Sequence, residues 1–155
     1  MVSVKKRSDK MKRLFYIPLL AIMVAMLMSC EMESSHGGKL DGYWHLERID
    51  TLHAASADYG QKKVFWAIQG HLIQMTDRDY QSSSLMSRYE RQGDSLILER
   101  PYYNERDKGD PEVEELIRLQ FYGLGSWLPR FRIENLSSER MTLSDGNVIL
   151  QFRKL

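Results

Sequence analysis

From Leu40 to the C-terminus, apolar residues alternate with polar ones in short runs, and turn-forming residues interrupt the runs at short intervals. Period-two patterning aims one face of each run at a core. Short runs joined by tight turns pair with their neighbours as antiparallel strands. The segments Tyr43 to Asp50, Lys63 to Ile68, His71 to Asp77, Ser84 to Arg91 and Ser95 to Glu99 read as strands, with turns at Gln69-Gly70 and Gln92-Gly93-Asp94. Further on, Phe131 and Ile133 alternate with Arg130, Arg132 and Glu134, and Met141 and Leu143 follow. Asp145-Gly146-Asn147 then turns the chain into a last strand on which Val148, Leu150 and Phe152 alternate with Ile149, Gln151 and Arg153. Eight such strands with little helix suffice to close an antiparallel up-and-down barrel, its interior holding one small ligand or its own side chains.

One segment departs from this rhythm. Between the fifth and sixth strands (E and F), Val113, Leu116, Ile117 and Phe121 follow helical spacing. Asp110 can accept from free N–H groups at a helix start, and Pro111 suits the first helical position. Glu112 and Glu114 sit where the helix dipole favours negative charge, and Gly123 can end the helix. The spacing predicts one short helix over 111–122 that seals an end of the barrel or covers a ligand there.

With 155 residues the chain has material for one domain of ordinary size. Its single cysteine excludes a disulfide framework and any multi-cysteine metal site. The net charge of +1 hides an asymmetry. Of 22 basic and 21 acidic residues, six basic and one acidic precede position 30, leaving a remainder of formal charge −4. That balance speaks against nucleic acid as a partner. The basic cluster precedes an apolar run from Leu14 to Met28, short for a bilayer span of roughly 20 residues but suited to a signal peptide. Met11-Lys12-Arg13 would serve as a complete start, so translation is expected to begin at Met11.

The run ends in Leu27-Met28-Ser29-Cys30. This resembles the lipobox of bacterial lipoproteins, with Met28 in place of the commoner Ser, Ala, Thr or Val. The resemblance implies cleavage before Cys30, acylation of its thiol and new amino group, and anchoring in the envelope of a Gram-negative bacterium, in the outer membrane. More than one acyl chain holds a protein firmly to a membrane, where a single chain does not. Residues 1–29 are thus read as signal peptide. Residues 30–39, EMESSHGGK after the cysteine, read as a flexible tether, and 40–155 as the domain.

Leu40-Asp41-Gly42-Tyr43-Trp44 resembles the Gly-x-Trp opening of lipocalins and their calycin relatives, and the C-terminal stretch from Phe131 to Leu155 is similar to small lipocalin-like lipoproteins. The resemblance implies a lipocalin-like barrel in which Trp44 packs at the closed end against a basic residue of the last strand, for which Arg153 is the candidate. No catalytic residue comes with it.

Catalytic patterns are sparse. His36, His45, His53 and His71 give no compact metal-ligand spacing. His45 and Glu47 would share one face of the first strand, which reads better as a solvated pair than as a zinc site. No nucleophile elbow or phosphate-cradling glycine loop is present. No enzyme, metal or cofactor is expected. Asp50-Thr51-Leu52 and Asp94-Ser95-Leu96 resemble acceptor triplets of a bacterial O-glycosylation system. Among the aromatic residues, Trp66, Tyr89 and Trp127 are candidates for lining an apolar pocket in the barrel mouth, and Tyr102-Tyr103 for a partner-facing patch. Two functions follow. In the first, a monomeric, lipid-anchored barrel carries a small apolar or amphipathic ligand. In the alternative, the barrel is solid and binds an envelope protein or a glycan through its surface.

Overall fold

The alternating runs become strands in the order in which the chain presents them. The computed structural model describes residues 37–52 and 54–155, so the expected signal peptide, most of the expected tether, Cys30, His36 and His53 lie outside the described residues. The strands are β1 (Gly42–Thr51), β2 (Ala57–Asp58), β3 (Val64–Gln69), β4 (Leu72–Asp77), β5 (Leu85–Gln92), β6 (Ser95–Leu98), β7 (Tyr102–Tyr103), β8 (Arg130–Leu136), β9 (Arg140–Ser144) and β10 (Val148–Lys154). Hydrogen bonding runs β1-β3-β4-β5-β6-β8-β9-β10, and β10 pairs back onto β1. All pairs are antiparallel, so eight long strands close an up-and-down barrel as the patterning predicts. The two-residue strands β2 and β7 add short antiparallel pairings beside β1 and β5.

Closure leaves each long strand no free edge and turns every second side chain inward. On β4 the inward set is Ile73, Met75 and Asp77, and on β5 it is Leu85, Ser87 and Tyr89; all are buried, while their outward neighbours are at least partly exposed. Two hairpins turn on Gly70 and Gly93, each at φ +60° as the first of two loop residues, the glycine position of type II′ turns. Between Leu46 and Arg48 the register with β10 slips by one residue at Glu47. The bulge keeps Leu46 and Ile49 inside although they are three apart.

The helix is shorter than expected. It spans Leu116–Phe121 (α1), not 111–122. Asp110 sits at φ +50° and its N–H donates to Glu105 O, so it starts no helix. Pro111 to Val113 instead run extended beside β7. Tyr103 N–H donates to Pro111 O at 2.8 Å, Glu112 bridges Tyr102, and Val113 N–H donates to Pro101 O at 3.3 Å. Val113 is fully buried in this extended path, so its apolar character fits both patterns. The expected stop holds. Gly123, at φ +85°, donates to Gln120 O and Leu124 to Leu119 O, the paired bonds of a Schellman cap. Tyr102-Tyr103 is therefore part of the sheet rather than an open loop, and both residues are half-buried.

Leu119, Tyr122 and Leu124 drop fully buried side chains onto one end of the barrel. The other end is closed by the turn at Gly38–Leu40, where Leu40 is fully buried and accepts a hydrogen bond from Trp44 Nε1 at 2.7 Å.

Candidate functional site

Alternation alone decides which rings point inward; packing decides whether they leave a hole. Trp66, midway along β3, has no exposed surface. Its ring lies 5.1 Å from Phe152 and 6.2 Å from Phe131, tilted and edge-on, geometries that aromatic pairs favour. Leu46, Met75, Leu96 and Leu143 are fully buried in the same core. The Trp66 Nε1–H is buried without a hydrogen-bond partner. Tyr89 sits toward the Gly70 turn, where its hydroxyl donates to Gly70 O at 2.8 Å, and burial pushes its pKa up. Trp127 lies in the loop entering β8, half-buried beneath the Arg100 guanidinium at 5.0 Å. The pocket expected from Trp66, Tyr89 and Trp127 is thus replaced by three separate environments: a core centre, a barrel end and a surface loop. Near α1 an apolar hollow of about 220 Å³ is bordered by Ile49, Leu124 and Val148, and none of the three lines it.

At the closed end the basic partner of Trp44 is Lys154, not Arg153. Trp44 stands opposite Lys154 in the β1–β10 ladder, whereas Arg153 stands opposite His45. Directly opposed residues share a face, so Lys154 and not Arg153 shares the face of the inward Trp44. Lys154 Nζ lies 4.9 Å above the Trp44 ring and donates to Asp41 O at 2.6 Å. Gly42 makes the room: at φ +147°, a Cβ there would meet Lys154 Cε. Arg153 points outward and donates to Glu47 at 2.7 Å, with Arg140 on the other carboxylate oxygen at 3.2 Å. The Arg153 hydrogen bond, chiefly, holds the Glu47 carboxyl below its usual range. His45 and Glu47 do not form a ligand pair. His45 Nε2–H donates to Lys62 O at 2.7 Å and its ring packs on Phe65.

A wide concavity lies outside the barrel, over β4 and the loop after it. Asp77 ends β4 with a buried carboxylate that accepts from the N–H groups of Asp79, Gln81 and Ser82 at 2.9, 2.6 and 3.1 Å. These three donors fold residues 77–84 into a fixed rim. Tyr80 on that rim takes φ +57° and leaves its ring 91% exposed, an uncommon conformation for a residue other than glycine. Arg78 is clamped as well. Its Nε donates to the Tyr43 hydroxyl at 3.1 Å, and its guanidinium lies 5.4 Å from the Tyr43 ring and 5.7 Å from Phe65. Among the described residues no carboxylate pairs with it. Tyr43, Gln74, Thr76, the 77–84 rim, Asn104 and Arg118 enclose an open groove of about 660 Å³, within the ~300–1,000 Å³ typical of small-molecule sites. The Thr76 hydroxyl, on the β4 floor, is buried without a partner. Residue order gives Asp77-Arg78-Asp79 only as alternating charges at the end of a strand. That Asp77 folds inward while Arg78 and Tyr80 stay displayed depends on backbone bonds that alternation does not encode.

Among the described residues no three His, Cys, Asp or Glu side chains gather to hold a metal ion. The groove's lining offers a ligand tyrosine rings and hydroxyl, amide and guanidinium groups for hydrogen bonding.

The architecture has relatives among solved structures. A lipocalin-like protein from Bacteroides uniformis superposes with a TM-score of 0.58 at 18% identity, covering 76% of this chain and all of its own. An uncharacterized protein from Bacteroides eggerthii gives 0.54 at 17% identity over 74% of this chain and 98% of its own. At such identities the likeness speaks for the fold. No match is found among curated protein sequences. The model of the lipocalin-like domain matches residues 25–155, which contain the whole barrel, and the chain belongs to that lipocalin-like family.

Proposed function

We propose that this chain is a lipid-anchored binding protein of the bacterial envelope that holds its ligand on the outer wall of a solid barrel. The observation that carries this is the contrast between inside and outside. Trp66, Phe131 and Phe152 meet at the core centre, while the wide concavity of about 660 Å³ is exterior and polar. The apolar hollow beside α1, about 220 Å³, falls short of the ~300 Å³ at which ligand pockets begin. A lipocalin-like barrel remains a binding scaffold in either case, but fold alone does not choose the ligand.

Acylated Cys30 would hold the protein to the outer membrane of a Gram-negative cell, with the acidic domain working as a monomer and avoiding nucleic acid. Membrane fractionation together with mass spectrometry of the purified full chain tests both parts. Cys30→Ala is expected to move the protein to the soluble fraction and remove the acyl mass. A Cys30→Ala variant still membrane-bound at unchanged mass overturns the anchor. The parent is expected to release no stoichiometric non-covalent lipid on denaturation; one that does is a carrier.

A further inference from the structure

We infer that the groove over β4 binds an acidic saccharide, an inference that rests on the outer-wall reading above and names its ligand class. The lining is hydroxyl- and amide-rich: Gln74, Ser82, Ser84 and Asn104 offer both donors and acceptors along one wall. Such a set matches a ring that carries many hydroxyl groups. Two tyrosine rings, Tyr43 and Tyr80, border the same space. A sugar ring has an apolar C–H face, and an exposed aromatic ring is the surface that covers it without desolvating a polar group. Tyr80, 91% exposed, contributes nothing to the core that would otherwise explain a tyrosine there.

Charge selects an anion. Asp77 borders the groove, but its buried carboxylate is already taken up by three backbone N–H groups. Asp79 is drawn off by Lys63 at 3.1 Å. Arg118 is partly neutralised by Glu115 at 3.2 Å. That leaves Arg78, held in place by Tyr43 and Phe65 and without a carboxylate, to supply a preorganised fork for a carboxylate on the sugar. A peptide is a poor fit. β4 is bonded to β3 along its whole length and to β5 from Leu72 to Met75, which leaves at most two residues of edge for a peptide backbone to extend.

The test is NMR titration of the ¹⁵N-labelled full chain in detergent micelles with hyaluronan disaccharide (glucuronate linked to N-acetylglucosamine). Neutral diacetylchitobiose and sodium acetate serve as controls. Amide shifts confined to residues 74–84, Asn104 and Arg118, with the acidic disaccharide binding more tightly than either control, are expected. Arg78→Gln should weaken it about tenfold, the loss of one charge-assisted contact, and Tyr80→Ala should weaken both disaccharides while leaving the spectrum of the barrel intact. Equal binding of the neutral disaccharide, or shifts reproduced by acetate alone, overturns the acidic-saccharide inference. So does the absence of any shift, and in that case the outer-wall reading stands or falls on the lipid-release measurement. Shifts centred on Leu143 and Phe152 would place the ligand inside and overturn both.

Discussion

If the barrel is solid, Trp66 is its keystone, and two substitutions there separate a filled core from a ligand cavity. Trp66→Ala removes a fully buried indole packed on Phe131 and Phe152. In a core that cannot collapse around the void, such a truncation costs about 3–5 kcal/mol. Trp66→Phe removes less volume and also removes the buried Nε1–H, which has no partner. The smaller void costs ~1 kcal/mol, and deleting an unsatisfied buried donor returns a similar amount, about 1–3 kcal/mol. The Phe variant should therefore stay within about 1 kcal/mol of the parent or gain slightly.

Urea unfolding followed by far-ultraviolet circular dichroism reads both. With a slope of about 1–3 kcal/mol per molar urea for a small domain, the alanine variant's midpoint falls by roughly 2 M and the phenylalanine variant's stays close to the parent's. Apolar cavities of this kind bind matching small molecules, so added indole should restore part of the alanine variant's stability by mass action and leave the parent unchanged. A Trp66→Ala variant that loses less than about 1 kcal/mol would refute the reasoning. That result would mean the indole stands at the wall of a space already open, where a ligand and not the protein supplies the packing.

Two further perturbations follow from the ends of the barrel. Gly42→Ala puts a Cβ against Lys154 Cε at φ +147° and should cost about 1–3 kcal/mol in thermal unfolding, with Lys154→Ala relieving part of that cost in the double variant. Tyr122 is fully buried, donates to Ser83 O at 2.9 Å, and burial raises its pKa from 10.0 to about 12. Since the folded pKa exceeds the unfolded one, its contribution to stability is complete below pH 10 and is lost as pH rises through about 12; Tyr122→Phe should flatten the fall in unfolding free energy over that window.

How much could be read from residue order differs from place to place, and parity is the clearest case. The strands were legible because a closed antiparallel sheet imposes period two on every element, and residues such as Phe131, Ile133, Leu150 and Phe152 obey it. The same rule already held the correct partner of Trp44. Phe152 faces inward, so the next inward position on β10 is Lys154, and Arg153 belongs with Gln151 on the outer face. The resemblance to lipocalins supplied a basic residue on the last strand, and parity would have chosen which one. Helix length was less accessible, because Asp110-Pro111 satisfies the composition of a helix start while its backbone is spent on bonds to Glu105 and Tyr103. The outer groove was not legible at all. Its shape depends on one carboxylate, Asp77, that capping by three N–H groups turns into a loop former, and on Arg78 finding Tyr43 across 35 residues of chain. Local pattern predicts which way a side chain points when the lattice of a sheet dictates it; where a loop is shaped by side chains bonding its own backbone, the direction of Tyr80 is a tertiary fact. The groove proposed to bind a ligand accordingly lies where period two ends.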